Sequence, residues 1–243
     1  MQRTWVTIVA VVFVVMIAGV GLVRLVVGRS VGNALYPPAP SMPAAVPETA
    51  EKLLARYEQL LRDRAAHVLA AMNPGLTDAQ IDALQTKGRF VLPPDLRALY
   101  RWRDGTPRAS NVQAFADHRF VSLEDALADR DALRAGLESN GFIARQVFST
   151  VVGHRKAWLE VIVDVAGDGY FFDPGRSEAE GSFFFCFTED STYVFYPAFR
   201  NFLAATIKGH ETGIFKFGKE GAETVDFERA MKLWNQYGAS NIQ

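Results

Sequence analysis

A single cysteine, Cys186, and four histidines, His67, His118, His154 and His210, are all that the 243 residues offer for thiol and imidazole chemistry. One cysteine excludes an internal disulfide and a thiolate metal cage, so the fold has to be stabilised by packing. Net charge is scarce too: 26 basic against 27 acidic side chains leave -1, which gives no long-range field for nucleic acid or a strongly polar substrate. No internal repeat is visible, and the HExxH, GxSxG and phosphate-loop patterns are missing. Apolar residues are plentiful. They make up 49% of the chain, enough for the core of one ordinary domain with appendages.

From Trp5 to Val23 the run WVTIVAVVFVVMIAGVGLV carries no charge. About 19 helical residues at about 1.5 Å each approach the ~30 Å of bilayer hydrocarbon, and snorkelling of Arg24 extends the span to Val27. Residues 5–27 are therefore expected to contact the lipid bilayer as a single-pass anchor, with Trp5, Arg3, Arg24 and Arg29 at its interfaces. The competing reading is a cleaved signal. The run is longer than the usual apolar stretch of a signal, and the small-residue site near Gly32–Ala34 lies behind two arginines, so an uncleaved anchor is favoured. Arginines flank both ends, which leaves the side of the membrane open. The expected division is an anchor over 1–35, an extended Pro/Ala-rich linker over 36–48 that lifts the domain off the bilayer, and a folded domain over 49–243.

In the folded part, Leu53, Leu54, Tyr57, Leu60, Leu61, Val68 and Leu69 recur at helical spacing, predicting one helix from Glu48 to Met72. Thr77 with Gln80 forms a capping-box pattern for a short helix ending at Gly88. Pro94 then opens a helix with Leu96, Leu99 and Tyr100 on one face, closed by Gly105, and Ser122 caps another. Strands follow. Trp158–Val165 and YFFDP flank an AGDG turn as a hairpin, and GSFFFCF and STYVFYP are two further aromatic runs, the first with phenylalanines on both faces as a central strand requires. Two helices, 197–207 and 226–237, close the chain, the second with Phe227, Ala230, Met231 and Trp234 on one apolar face. Helices, then a mostly antiparallel sheet, then helices make an α+β order.

The run TDAQIDALQTKGRFVLPPDLRALYRWRDG, followed by FVSLEDAL, resembles the SUKH superfamily of yeast cell-wall-assembly regulators, Syd-like proteins and bacterial immunity proteins. Trp158, Gly169 to Pro174, Gly181-Ser182 and Asp226 to Gly238 are similar to that family's sheet and closing helix, so the likeness covers 76–238. Gln85 stands where members commonly carry glutamate, and an anchor is untypical of the family. The resemblance implies a protein-binding fold without known catalysis. It would dock its partner through the sheet edge and adjoining loops, with Trp102, Phe115, Phe120 and Trp158 as candidate anchors.

Other constellations point elsewhere. Cys186 with His154 as base is the pair an envelope hydrolase would need, although an aromatic strand is where a thiol is usually inert. Asp164, Asp168 and Asp173 lack the order of a calcium loop and read as turn formers. Arg97, Arg101, Arg103 and Arg108 around Tyr100 and Trp102 mix base-stacking and phosphate-binding chemistry, but Asp95 and Asp104 break the patch into a solvated helix face. The expected function is membrane-anchored and non-catalytic, binding a toxin or an envelope component. The alternatives are a wall-assembly scaffold and an unrecognised hydrolase. No cofactor, metal or nucleic acid is expected. Deleting residues 1–29 should move the protein from the membrane pellet to the soluble fraction, because no second run of about 18 apolar residues exists. Sedimentation with membranes after that deletion would reveal another attachment.

Overall fold

The structure, a computed structural model, describes residues 41–139, 157–164, 167–187 and 193–240. The expected anchor at 5–27 lies outside the described residues, as do His154 and Val165. Among the described residues no helix is long and apolar enough to cross a membrane.

The elements follow the sequence closely in the first half. Helix α1 spans Ala50–Arg64, with Thr49 as its cap, and α2 spans Ala66–Ala71. One continuous helix was expected here. Instead Ala65 takes φ -152°, ψ 50° and breaks it, at a position with neither glycine nor proline. Helix α3, Asp78–Gly88, begins at Thr77 with both halves of the capping box formed. It ends at Gly88 as expected, and Arg89 rather than a glycine takes the left-handed turn that follows, at φ 54°. Helix α4 is Pro94–Trp102. It ends three residues before Gly105, whose φ of +70° serves the following turn. After strand β1, Arg119–Phe120, Ser122 accepts a hydrogen bond from the Asp125 N–H (3.1 Å) at the start of α5, Leu123–Ser139.

The remaining elements build the sheet. They are β2 Leu159–Val163, β3 Gly169–Phe172, β4 Phe183–Cys186, β5 Tyr193–Tyr196, α6 Phe199–Glu211, β6 Phe215–Phe217, β7 Ala222–Thr224, α7 Phe227–Tyr237 and β8 Ala239–Ser240. The main sheet has order β1-β2-β3-β4-β5-β8 and is antiparallel throughout; β6 and β7 form a separate hairpin. The fold is α+β, with an antiparallel sheet flanked by helices. Both outer strands, β1 and β8, are two residues long, which leaves little free edge for another chain to extend.

A bulge between Glu160 and Ile162 shifts the β2–β3 register and interrupts the two-residue alternation of faces along β2. On either side of it, Leu159 and Ile162 lie across from Phe172 and Tyr170, and β4 and β5 continue the row with Phe183, Phe185, Val194 and Tyr196. This face belongs to the main core with α1, α4 and α6. The opposite face holds Trp158, Phe171, Phe184, Cys186, Tyr193 and Phe195 as a second buried cluster. Strand β4 is thus two-sided, as its phenylalanines require.

Trp234 on α7 is 4% exposed and stacks on Phe185 (6.0 Å between centroids) and Phe215 (6.3 Å). Trp234→Ala should lower stability by about 3–5 kcal/mol in a denaturant titration. A loss below about 1 kcal/mol would show that α7 contributes little to the core. His210 on α6 generates a second expectation. It is 3% exposed, lies flat on Phe217 at 4.1 Å, and neither ring nitrogen makes a full hydrogen bond. Burial first, and the Arg64 guanidinium second, push its pKa down to about 4, opposed in part by the Phe215 backbone. The unfolded chain, with histidine near 6.5, therefore binds more protons between those values. Stability should fall by about 3 kcal/mol from this group as pH drops from about 6.5 to about 4, then level off. His210→Phe should remove that part of the slope when urea midpoints are compared across the range.

Candidate functional site

Trp102, the last residue of α4, stands against α1. Its indole N–H donates to Glu58 Oε2 at 2.5 Å, and the Arg103 guanidinium lies 5.9 Å from the ring centre. Burial alone would raise the Glu58 carboxyl, but the Trp102 indole and the Arg62 guanidinium outweigh it and hold it below the usual carboxylate range. Beside this pair opens a pocket of about 500 Å³, with Leu54, Ala98 and Trp102 on its apolar side and Glu58, Arg62 and Arg101 on its polar side. The arrangement suits one apolar side chain of a partner seated against the indole, with a charged rim setting its orientation.

The other three sequence candidates are placed differently. Phe115 is 1% exposed and stacks on Tyr57 at 5.2 Å; Phe120 is fully buried against Tyr100 and Phe115. Trp158 is 3% exposed, packs edge-on to Phe184 at 4.8 Å, and donates its indole N–H to Asp173 Oδ2 at 3.2 Å. These three rings are core members and present almost no surface to a partner, whereas Trp102 is only partly buried. The structure does not bring the four together as one patch.

A surface that periodicity hides lies at the start of α7. Phe227, expected on the buried face, is 57% exposed, and Val225 before it is 49% exposed. Phe227 meets Trp234 and Phe187 edge-on, so it extends the core outward instead of entering it. The helical wheel places Phe227 with Ala230 and Trp234, but Phe227 lies one turn before Ala230, outside the edge of the core.

The remaining constellations resolve into structural roles. Arg97 reaches Asp78 and Asp82, Arg101 reaches Asp78, and Arg108 reaches Asp125 and Asp129, so their guanidinium groups are engaged by carboxylates. Tyr100 has no exposed surface for stacking. Asp164 Oδ1 accepts from Asp168 N–H (3.0 Å), and Asp173 Oδ1 accepts from Gly175 N–H (2.7 Å), which is turn chemistry. No three His, Cys, Asp or Glu residues among those described are placed to hold a metal ion. Cys186 is 1% exposed in the second aromatic cluster, and its proposed base, His154, lies outside the described residues. His118 is buried between Tyr170 and Phe185, which meet it edge-on, and burial lowers its pKa despite the Ala116 carbonyl.

Gln85 has a specific role. Its Oε1 accepts the Leu92 N–H at 2.6 Å, closing the turn between α3 and α4, and its Nε2 donates to Asp82 Oδ1 at 3.2 Å. A glutamate would supply the same acceptor oxygen, so the departure from the resemblance leaves this turn intact. Next to Asp82, the amide also avoids the repulsion of a second carboxylate.

A helix-flanked antiparallel α+β domain with an α3–α4 turn built in this way defines the class. The SMI1 / KNR4 family (SUKH-1) matches residues 75–205, more than half of the chain, and the chain belongs to that family. The matched segment runs from just before α3 into α6 and includes Trp102 and the five strands β1 to β5. A comparison with curated proteins gives no match. Family membership points to an immunity-protein-like or cell-wall-regulator-like role.

Proposed function

We propose that this protein is a membrane-anchored, non-catalytic binding domain of the immunity type, whose ligand is another protein. The observation that carries the reading is the family match, since members of this family bind partner toxin proteins. The Trp102 pocket supports it: a half-buried indole, oriented by Glu58, offers the rigid aromatic anchor on which protein interfaces concentrate their affinity. The uncharged run at 5–23, extended to Val27 if Arg24 snorkels, supports the anchor. A wall-assembly scaffold shares the same fold and differs only in partner.

The test is to cross-link and purify the full chain from host membranes. One stoichiometric protein partner should be recovered, and Trp102→Ala should reduce its recovery at least about tenfold, within the range of an interfacial hot spot. Because Trp102 is only partly buried, the variant should still melt cooperatively. Cys186→Ser should keep biological activity, with a stability loss of about 1 kcal/mol. If Cys186→Ser kept the wild-type melt and lost activity, a hydrolase would replace this reading.

A further inference from the structure

The linker does not stand clear of the domain over its whole length. Residues 42–48 lie along the first turn of α6 as a strap whose backbone is held by two adjacent side chains. The Val46 N–H donates to Asn201 Oδ1 at 3.1 Å, Asn201 Nδ2 donates to the Ala44 carbonyl at 3.2 Å, and Arg200 Nε donates to the Val46 carbonyl at 3.0 Å. Asn201 is 1% exposed and also donates to the Tyr237 carbonyl at 3.1 Å, which fixes the orientation of its amide. Arg200 is fixed in turn by Asp95, whose two carboxylate oxygens lie 3.1 and 3.2 Å from Nη1. This is a preorganised reader of an extended backbone.

These hydrogen bonds contact no side chain of the strap. Side-chain selection is left to Met42, which packs against the second aromatic cluster, and Val46, which packs against the main core. Ala44 and Ala45 between them are exposed. Pro43 restricts the segment at little entropic cost, and the chain bends at Pro47 and Glu48 before it enters α1. Val46 also borders an open pocket of about 220 Å³, lined by Leu53, Ile207 and Tyr237 together with the charged Arg56, Lys208 and Glu211, so there is room beside the valine for a larger aliphatic group. The strap therefore fits the slot through its backbone and underfills it with its side chains. A ligand of that kind is replaceable.

We propose that Arg200 and Asn201 form a binding slot for extended, proline-containing peptide segments bearing an aliphatic residue at the Val46 position. The chain's own residues 42–48 occupy this slot in cis, so an incoming segment binds by displacing the strap. The inference needs neither the membrane anchor nor the Trp102 pocket, and stands if either fails.

The probe is a synthetic peptide of residues 41–49 carrying Val46→Leu, added to the full chain in detergent. It should accelerate amide exchange at Val46 several-fold while core strands keep their protection, and a scrambled peptide should not. A full-chain variant with Met42→Asp and Val46→Asp, whose strap no longer docks, should bind the peptide at least about tenfold more tightly than the wild type, because cis competition is gone. Adding Asn201→Ala to that variant should weaken binding at least about tenfold, on the scale of buried hydrogen bonds left unmade. Unchanged Val46 exchange in the wild type under saturating peptide would overturn the proposal even if the strap variants failed to fold. Binding insensitive to Asn201→Ala would overturn it as well.

Discussion

Tyr170, Phe171 and Phe172 on β3 run opposite Phe185, Phe184 and Phe183 on β4, and those pair onward with Val194, Phe195 and Tyr196 on β5. Three adjacent strands thus carry aromatic rings on both faces, all buried. In most sheets a slip of one residue is prevented because it would turn apolar side chains into water. Here both faces are apolar, so polarity alone does not choose the register. Shape and a few fixed points have to do so. Gly169 is one, since a side chain there would meet the Ile162 carbonyl oxygen at 2.3 Å, a close approach allowed only beside the bulge in β2. The Trp158–Asp173 hydrogen bond is another, tying the start of β2 to the turn after β3.

Local chemistry that needs only neighbouring residues was legible in the chain. The Thr77–Gln80 capping box, the Pro94 helix start, the Ser122 cap and the β2–β3 hairpin each depend on a few adjacent side chains, and each is present. What escaped depends on distant partners. Ala65 breaks the first helix while only 2% exposed, with arginine and alanine as its neighbours in sequence. The β6–β7 hairpin docks through Ala222 N–H to the Gln113 carbonyl and Thr224 N–H to Asp117, contacts across more than a hundred residues. The candidate site shows the same division. Aromatic identity selects Phe115, Phe120 and Trp158 as readily as Trp102, because a ring suits a core and an interface equally, and only packing separates them.

Arg200 joins parts of the molecule that the sequence keeps apart. One guanidinium holds the Val46 carbonyl of the strap and the Asp95 carboxylate in the first turn of α4, while its own backbone N–H also donates to Asp95 (3.2 Å). Asp95 is 6% exposed, and a carboxylate buried to that degree is stable only with such donors. Arg56 on α1 adds a second tie by bridging Glu48 at the end of the strap to Glu211 at the end of α6. Those two pairs are exposed and contribute little energy; the half-buried Arg200–Asp95 contact is the stronger restraint.

The geometry that follows bears on the Trp102 pocket. Its walls are α1 and α4. Helix α1 continues directly from the strap through the Thr49 cap, and α4 begins at the carboxylate that Arg200 holds. Both walls are therefore tied near their N-terminal ends to Arg200, α1 through the strap that precedes it and α4 through Asp95. Along α4 the tie at Asp95 and the indole at Trp102 are seven residues apart, about two helical turns and about 10 Å. A helix of that length moves as a rigid unit, so a shift at its first turn is carried to its last. The segment between an expected anchor and the folded domain is thus built into the support of the one sequence-selected aromatic that reaches the surface, although the family match begins only at residue 75.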